Sequence, residues 1–295
     1  MIDKSGHDPV NNITGWEEVD CILCGEKGPA SVFWPDKGRG DIVRCLRCGL
    51  VFRTPRRMEH SIGQDFAEQW TENRPPFFLL DYREQSLGKI ARWALHRHPD
   101  PGSILDIGSS YGTLLGMFPE SWVRVGIEPS GTACRVARER LPNAQIIHSL
   151  LGDASLADEL FDVITMVDMA YYLPFPLRDL MMVKRLLKPG GVLIIEAPNF
   201  ANRGYIYRWF RHPFSDTWMY FYTPSSLERV LEKIGMEIVG RIDLPGVRIG
   251  SLNLGERLIT WAEFALTKAL MSLSFQRIDW VPHFVFMCKV PTKII

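Results

Sequence analysis

Two groups of residues have the types and spacings that do chemistry. The first is four cysteines, arranged as Cys21-x-x-Cys24 and Cys45-x-x-Cys48. Two such pairs can surround one ion with four thiolates, the spacing expected of a zinc site. A four-thiolate shell leaves no coordination position open, so zinc held there is structural rather than catalytic. Gly25 and Gly49 follow the pairs and permit the backbone angles of the turns that aim the thiolates. Disulfides are the competing reading, but the opening Met1-Ile2-Asp3-Lys4-Ser5-Gly6-His7 lacks the apolar stretch of a secretory signal. A reducing, cytoplasmic setting is therefore expected. Cys134 and Cys288 sit in apolar-periodic contexts and are expected to be buried.

The second group lies mid-chain. The apolar run Ser103–Ile107 ends in Gly108-Ser109-Ser110-Tyr111-Gly112, a turn that lets a ligand approach the backbone. Its spacing lacks the middle glycine needed beside a pyrophosphate, and no G-x-x-x-x-G-K-[ST] loop occurs. Glu128 stands 20 residues after Gly108, where the next apolar run ends. A carboxylate there can accept both hydrogen bonds of a ribose diol. Ribose recognition without a pyrophosphate loop points to an adenosyl ligand such as S-adenosylmethionine. The alternative is that Glu128 is an ordinary acid before the helix that opens at Ser130, favourable to its dipole.

The elements that must hold these groups can be read around them. Val32-Phe33-Trp34 and Ile42-Val43 flank a Pro35/Gly38/Gly40 turn region, which predicts a β-hairpin between the cysteine pairs and hence a zinc ribbon. Residues 81–97 suit a helix. Strands are expected at 103–108, 122–127, 145–148, 161–167 and 192–197, with helical segments opening at 111–116 and spanning 130–141 and 177–187. Strands alternating with helices imply a parallel sheet covered on both faces, with ligands at the carboxyl ends of the strands. Residues 227–234 read as a helix, and 236–242 and 284–290 as strands that complete seven.

The segment from Ser103 to Asn199 resembles the class I S-adenosylmethionine-dependent methyltransferases, in particular the branch with an N-terminal zinc ribbon. The resemblance is carried by Leu105-Asp106-Ile107-Gly108 through Gly112, Gly126-Ile127-Glu128-Pro129, Phe161-Asp162-Val163-Ile164, and Leu187-Lys188-Pro189-Gly190-Gly191 with Val192 to Asn199. It implies an α/β, Rossmann-like, seven-stranded and mostly parallel sheet with helices on both faces, plus the small ribbon. It also implies that Asp106 and the Gly108–Gly112 turn, with Ser109 and Tyr111, hold the amino-acid end of the cofactor. Glu128 would take the ribose hydroxyls, Pro129 and Leu150 would flank the adenine, and Val167 and Asp168 would line the sulfonium. The chain departs from many relatives at Ser110, where they carry glycine, and at Tyr172, where they carry histidine. Tyrosine, with a pKa near 10, is a poor general base at neutral pH.

Methyl transfer is an in-line displacement in which the sulfonium charge disappears, and a dry, aligned site supplies most of the acceleration. A base is needed only where the acceptor must lose a proton. His212 is the candidate by side chain, with Tyr172 and Asp168 behind it. Residues 200–222 carry ten aromatics interleaved with Arg203, Arg208, Arg211 and His212. Three readings compete for them: packing of a cap, an acceptor pocket in which rings stack and arginines pair an anion, and a membrane-facing surface, the least favoured. The apolar stretch 254–275 is expected to be a buried helix packed on the cap or a dimer partner.

Charge limits the partners. Lys and Arg total 34 and so do Asp and Glu, without the basic excess usual in proteins that live on nucleic-acid phosphates. The cluster Lys37, Arg39, Arg44, Arg47, Arg53, Arg56 and Arg57 is expected to be a solvated face, with RNA binding by the ribbon as the alternative. Neither an Asn/Asp-Pro-Pro-Tyr/Phe motif nor a Pro-Cys nucleophile follows the fourth strand of this domain, which further disfavours nucleobases. The expectation is a methyltransferase acting by O- or C-methylation on a small-molecule or glycosidic acceptor, such as a sugar or natural-product intermediate. A non-catalytic S-adenosylmethionine-binding protein is a further alternative. Ribbon at 1–58, helical linker or cap at 59–100 and catalytic domain at 101–295 are the expected divisions.

Overall fold

A computed structural model describes residues 16–25, 30–36, 38, 40–58, 81–201, 217–245, 254–273, 279 and 281–291. The N-terminal strands are β1 (Trp16–Glu17), β2 (Ala30–Trp34), β3 (Asp41–Cys45), β4 (Val51–Thr54) and β5 (Arg56–Arg57). β2 and β3 form the expected antiparallel hairpin, and β4 pairs with β3. Helix α1 (Asp81–Arg97) leads to strands β6 (Ser103–Ile107) and β7 (Val123–Glu128), helix α2 (Gly131–Arg140), and strands β8 (Gln145–His148) and β9 (Phe161–Met166). Helix α3 (Pro176–Leu186) and strand β10 (Leu187–Pro198) follow. The remainder comprises β11 (Tyr220–Phe221), α4 (Pro224–Lys233), β12 (Glu237–Leu244), α5 (Leu254–Leu273) and β13 (His283–Lys289).

Seven strands form one sheet in the order β12-β13-β10-β9-β6-β7-β8. The pairs from β8 to β10 are parallel, and β13 runs antiparallel to both neighbours. The central strands are buried on both faces, as continuous apolar runs such as Ser103–Ile107 require. The carboxyl ends of β6, β7, β9 and β10 share one edge, where Met166 lies beside both Ile107 and Ile195. The antiparallel β13 starts at that edge, with His283 opposite Pro198.

The ribbon is joined to this body by a strand. β11, from beyond β10, pairs with β4, so the N-terminal sheet has the order β11-β4-β3-β2. One hydrophobic core runs through both parts and includes Val43, Leu50 and Phe52 of the ribbon with Tyr220, Leu227 and Ile195 of the body.

Three expectations are corrected. Residues 111–116 do not open an α-helix; Leu115–Met117 make a single 3₁₀ turn. Gly108, Ser110 and Gly112 all take positive φ (77°, 49° and 73°), which breaks the right-handed hydrogen-bond series before a helix can start. The basic cluster is not all a solvated face. Arg53 and Arg56 are buried, Arg53 against Asp36 (3.0 Å) and the carbonyls of Gly40 and Trp218, Arg56 against Glu17 (2.9 Å) and the Tyr220 hydroxyl. Finally, α5 is not buried within the single chain: Leu258, Trp261, Leu266, Leu270 and Leu273 are exposed, which leaves the dimer-partner expectation standing. It is tied to the body by Lys268 to Asp243 (2.6 Å) and by Lys89 over the Trp261 ring. No described helix is long and apolar enough to cross a membrane.

Candidate functional site

The turn after β6 is folded back onto β7. The amides of Gly108 and Ser109 donate to the Ile127 carbonyl, and the Gly112 amide closes on the Ser109 carbonyl (2.9 Å). Gly126 makes this possible, because a Cβ there would stand 2.6 Å from Ser109 Oγ. At the end of β7, Glu128 is buried, its Oε2 accepting from the Ser110 amide and its Oε1 from the Ser130 amide, each at 2.9 Å. Burial pushes its carboxyl up to about 7 although both amides pull the other way. Ser130 caps α2 by accepting from the Ala133 amide, which fixes the strand-to-helix corner that carries Glu128.

Asp106, one strand across, is buried and accepts from the Thr165 hydroxyl at 2.7 Å. Tyr111 is buried, and its carbonyl accepts from Arg140. The Ser149 amide donates to the Glu128 carbonyl, which brings the neighbouring Leu150 to the same corner as Pro129. Asp106, Gly108, Ser109, Tyr111, Gly112, Glu128, Pro129 and Leu150 are thus gathered at the ends of β6, β7 and β8. Val167 and Asp168 follow β9 beside them.

The donor set at this corner fits an adenosyl cofactor. Ser109 Oγ and Ser110 Oγ are buried without a hydrogen-bond partner among the described residues. A buried hydroxyl left unpaired costs about 1–3 kcal/mol, so two of them on one turn give this cradle spare capacity for a ligand's polar groups.

Beside the cradle, Asp168 holds a left-handed backbone (φ 58°) rare for a non-glycine residue. Two bonds enforce it: the Asp168 amide donates to Glu196 Oε2 (2.8 Å), and the Tyr171 hydroxyl donates to Asp168 Oδ1 (2.9 Å). Tyr172 packs against Tyr171 with ring centroids 4.3 Å apart, and Trp218 donates to its hydroxyl. Burial pushes the Tyr172 hydroxyl up to about 12, so it keeps its proton at neutral pH. His212 lies outside the described residues, as do Tyr205, Tyr207, Trp209, Phe210, Phe214 and the three arginines of that stretch. Of its described aromatics, Phe200, Tyr220, Phe221 and Tyr222 are buried and Trp218 is half-buried.

Sequence reasoning missed Glu196 and His283. Both are buried, and Nδ1 of His283 hydrogen-bonds Oε1 of Glu196. The available signal was a lone acid inside the apolar run Val192–Ala197, which would be expensive to bury without a purpose.

The four ribbon cysteines are free thiols whose sulfurs converge, Cys21 Sγ to Cys48 Sγ at 3.3 Å and Cys24 Sγ to Cys45 Sγ at 3.6 Å. Burial raises the Cys21 thiol. At Cys45 burial is outweighed by the amides of Cys48 and Arg47, which bring it down to about 7. Arg229 and Lys233 of α4 donate to the Cys48 and Leu23 carbonyls, so the body grips both cysteine turns.

Comparison with known proteins agrees with this geometry. Residues 79–240 match the family model described as a methyltransferase domain. The chain is 28% identical over 204 residues to a ubiquinone biosynthesis O-methyltransferase of Roseobacter denitrificans, covering 59% of this chain and 79% of that protein. It is 30% identical over 184 residues to the protein of the same name from Ruegeria pomeroyi, covering 55% and 71%. Among solved structures, an N-methyltransferase from Bradyrhizobium japonicum in complex with S-adenosyl-L-homocysteine shares the fold, with a TM-score of 0.54 at 15% identity over 78% of this chain and 99% of that one. Cradle, sheet order and family match converge: the chain belongs to the methyltransferase domain family and is an S-adenosylmethionine-dependent methyltransferase.

Proposed function

We propose that this enzyme methylates a hydroxyl group on a small-molecule acceptor, and that the residues gathered at the ends of β6 to β9 hold its cofactor. The observation that carries the cofactor site is the pair of unpartnered buried hydroxyls, Ser109 and Ser110, beside the Glu128 carboxylate. Asp106 and the Gly108–Gly112 turn, with Ser109 and Tyr111, take the amino-acid end. Glu128 takes the ribose diol, Pro129 and Leu150 flank the base, and Val167 and Asp168 line the sulfonium. When bound, S-adenosylmethionine supplies an electrophilic methyl carbon on a positively charged sulfur.

The hydroxyl acceptor is supported by the O-methyltransferases that the chain resembles, and the half-buried Tyr172 and Trp218, braced by the buried Tyr171, are the rings on which an acceptor ring or sugar face can stack. Burial of Arg53 and Arg56 removes two cations from any phosphate-binding face of the ribbon, which favours a small acceptor over RNA. Cys21, Cys24, Cys45 and Cys48, whose sulfurs converge, hold a structural zinc ion in a ribbon spanning 1–58, and a four-thiolate site of this kind belongs to a reducing cytoplasm.

Titration calorimetry with S-adenosylmethionine tests the site. Asp106→Ala and Glu128→Gln each weaken binding tenfold or more, and unchanged affinity in both variants refutes it. Mass spectrometry of a mixed panel of phenols, sugars and amines tests the acceptor class. Methyl gain confined to amines refutes the hydroxyl reading.

A further inference from the structure

Helix α5 belongs to a connection that leaves and re-enters the sheet at the edge carrying the cofactor cradle. It lies in the chain between Leu244, the last residue of β12, and His283, the first of β13, and these two are paired at that edge. Two contacts seat it. The Lys268 ammonium bonds Asp243, next to the end of β12, at 2.6 Å, and Lys89 of α1 stands 5.1 Å from the centre of the Trp261 ring. Its outer face is open to solvent. Leu258, Leu266 and Leu273 are 63%, 62% and 78% exposed, with Ala262, Ala265 and Ala269 exposed among them and Trp261 and Leu270 on either side.

Two properties of this face decide what covers it. The first is width. At about 100° per residue, the apolar side chains run from Trp261 through Leu258, Leu273 and Leu266 to Leu270 across roughly 180° of the helix. One packed helix covers a narrower seam, whereas a helix lying in a bilayer surface sinks its whole outer half toward the acyl chains. No described helix is long and apolar enough to cross a membrane, so a helix of this kind lies on one.

The second property is charge. Among the exposed described residues of α5 the only charge is Lys268, at the border of the apolar arc, and no acid is present. On α1, Lys89, Arg92 and His96 share the face that meets Trp261, and Arg92 and His96 are exposed. An apolar half-cylinder bordered by cations and a tryptophan suits acyl chains and anionic headgroups together. A second copy of the chain is the poorer fit, because a two-fold contact sets the same patch against itself and brings like charges together.

We propose that α5 is an interfacial anchor. Its outer face enters the surface of an anionic phospholipid bilayer, with Lys89, Arg92 and Lys268 at the headgroups, and the cofactor edge of the sheet is thereby held beside the membrane. The anchor does not depend on which acceptor the enzyme methylates.

Flotation of the full-length chain with vesicles of mixed phosphatidylcholine and phosphatidylglycerol, and with phosphatidylcholine alone, tests it. Capture by the mixed vesicles is expected, and it weakens as salt is raised. Leu266→Glu with Leu273→Glu lowers that affinity about tenfold or more and Arg92→Gln about fivefold, while the calorimetric Kd for S-adenosylmethionine stays within about twofold. Should the double variant fail to fold, Leu266→Ser with Leu273→Ser, which adds no charge, must lose affinity in the same direction. Capture that is indifferent to these substitutions overturns the anchor, and equal capture by the two kinds of vesicle overturns the anionic surface. No capture by either also overturns it. A lipid-free dimer in ultracentrifugation that Leu266→Glu with Leu273→Glu splits would then make a second copy the occupant.

Discussion

At the scale of single residues, Glu128 joins binding to pH. Its folded pKa, raised by burial to about 7, exceeds the roughly 4.3 of an unfolded glutamate. Between those values the folded state holds more protons than the unfolded one, so this group's contribution to stability is fullest below pH 4 and declines as pH rises through 7. The shift corresponds to roughly 3–4 kcal/mol. Urea unfolding across pH 4 to 8 should show this decline, and Glu128→Gln should flatten it. In the proposed site a ribose diol donates to the ionised form of Glu128, so S-adenosylmethionine binding near pH 6.5 should release protons. Calorimetry in phosphate and Tris buffers reads that release directly, and it should vanish in Glu128→Gln. Tyr172, held near 12, should give the opposite result: Tyr172→Phe leaves the pH–rate profile near neutrality unmoved. Glu128 was legible in the sequence because a strand end followed by a helix cap is a local pattern. Arg53 and Arg56 were not, since their burial depends on Trp218 and Tyr220, far along the chain.

At the scale of elements, the glycine turn rests on a strand that makes room for it. Gly126→Ala would drive a Cβ to 2.6 Å from Ser109 Oγ, 2.9 Å from Ser109 Cβ and 3.0 Å from Leu115 Cδ1. Crowding of this kind costs about 1–3 kcal/mol. Thermal melting should fall by several degrees, and cofactor affinity should fall with it because the displaced residue belongs to the cradle. Thr223 offers a contrast. It caps α4 in a reciprocal pair with Ser226, and Thr223→Ala should cost about 1 kcal/mol with cofactor affinity unchanged. The strand positions were readable from apolar runs alone, to within a residue or two at most ends. The helix after β6 was misread because Ser110 takes a left-handed conformation, which its residue type does not announce. Glu196 and His283 stayed hidden because they meet only through the antiparallel pairing of β13, 87 residues downstream. The exposure of α5 also escaped, since an apolar composition cannot say whether a body lies against it.

At the scale of the whole molecule, the ribbon and the catalytic body are mechanically one piece. Arg53 illustrates this, bonding Asp36 and Gly40 within the ribbon while its backbone amide and Nε reach Met219 and Trp218. The Met219 amide in turn donates to the Tyr171 carbonyl, next to the aromatic wall. Arg53→Met leaves the half-buried Asp36 without its cation and the Gly40 and Trp218 carbonyls without their donor, and should cost about 1–3 kcal/mol in chemical unfolding. Replacing Cys45 and Cys48 with serine should release the Tyr220 and Phe221 amides to hydrogen exchange while those of β6 and β9 stay protected. Equal protection of all three strands would show that the ribbon is independent of the body. The pairing of β4 with β11 also sets a timetable during synthesis. Arg56 and Tyr220 are 164 residues apart, so at ribosomal speeds the finished ribbon waits about 10–30 s with an open strand edge before its partner emerges. For that interval β4 presents an unpaired edge to any passing strand, and the zinc ion proposed for the four cysteines would hold the hairpin in shape until β11 emerges.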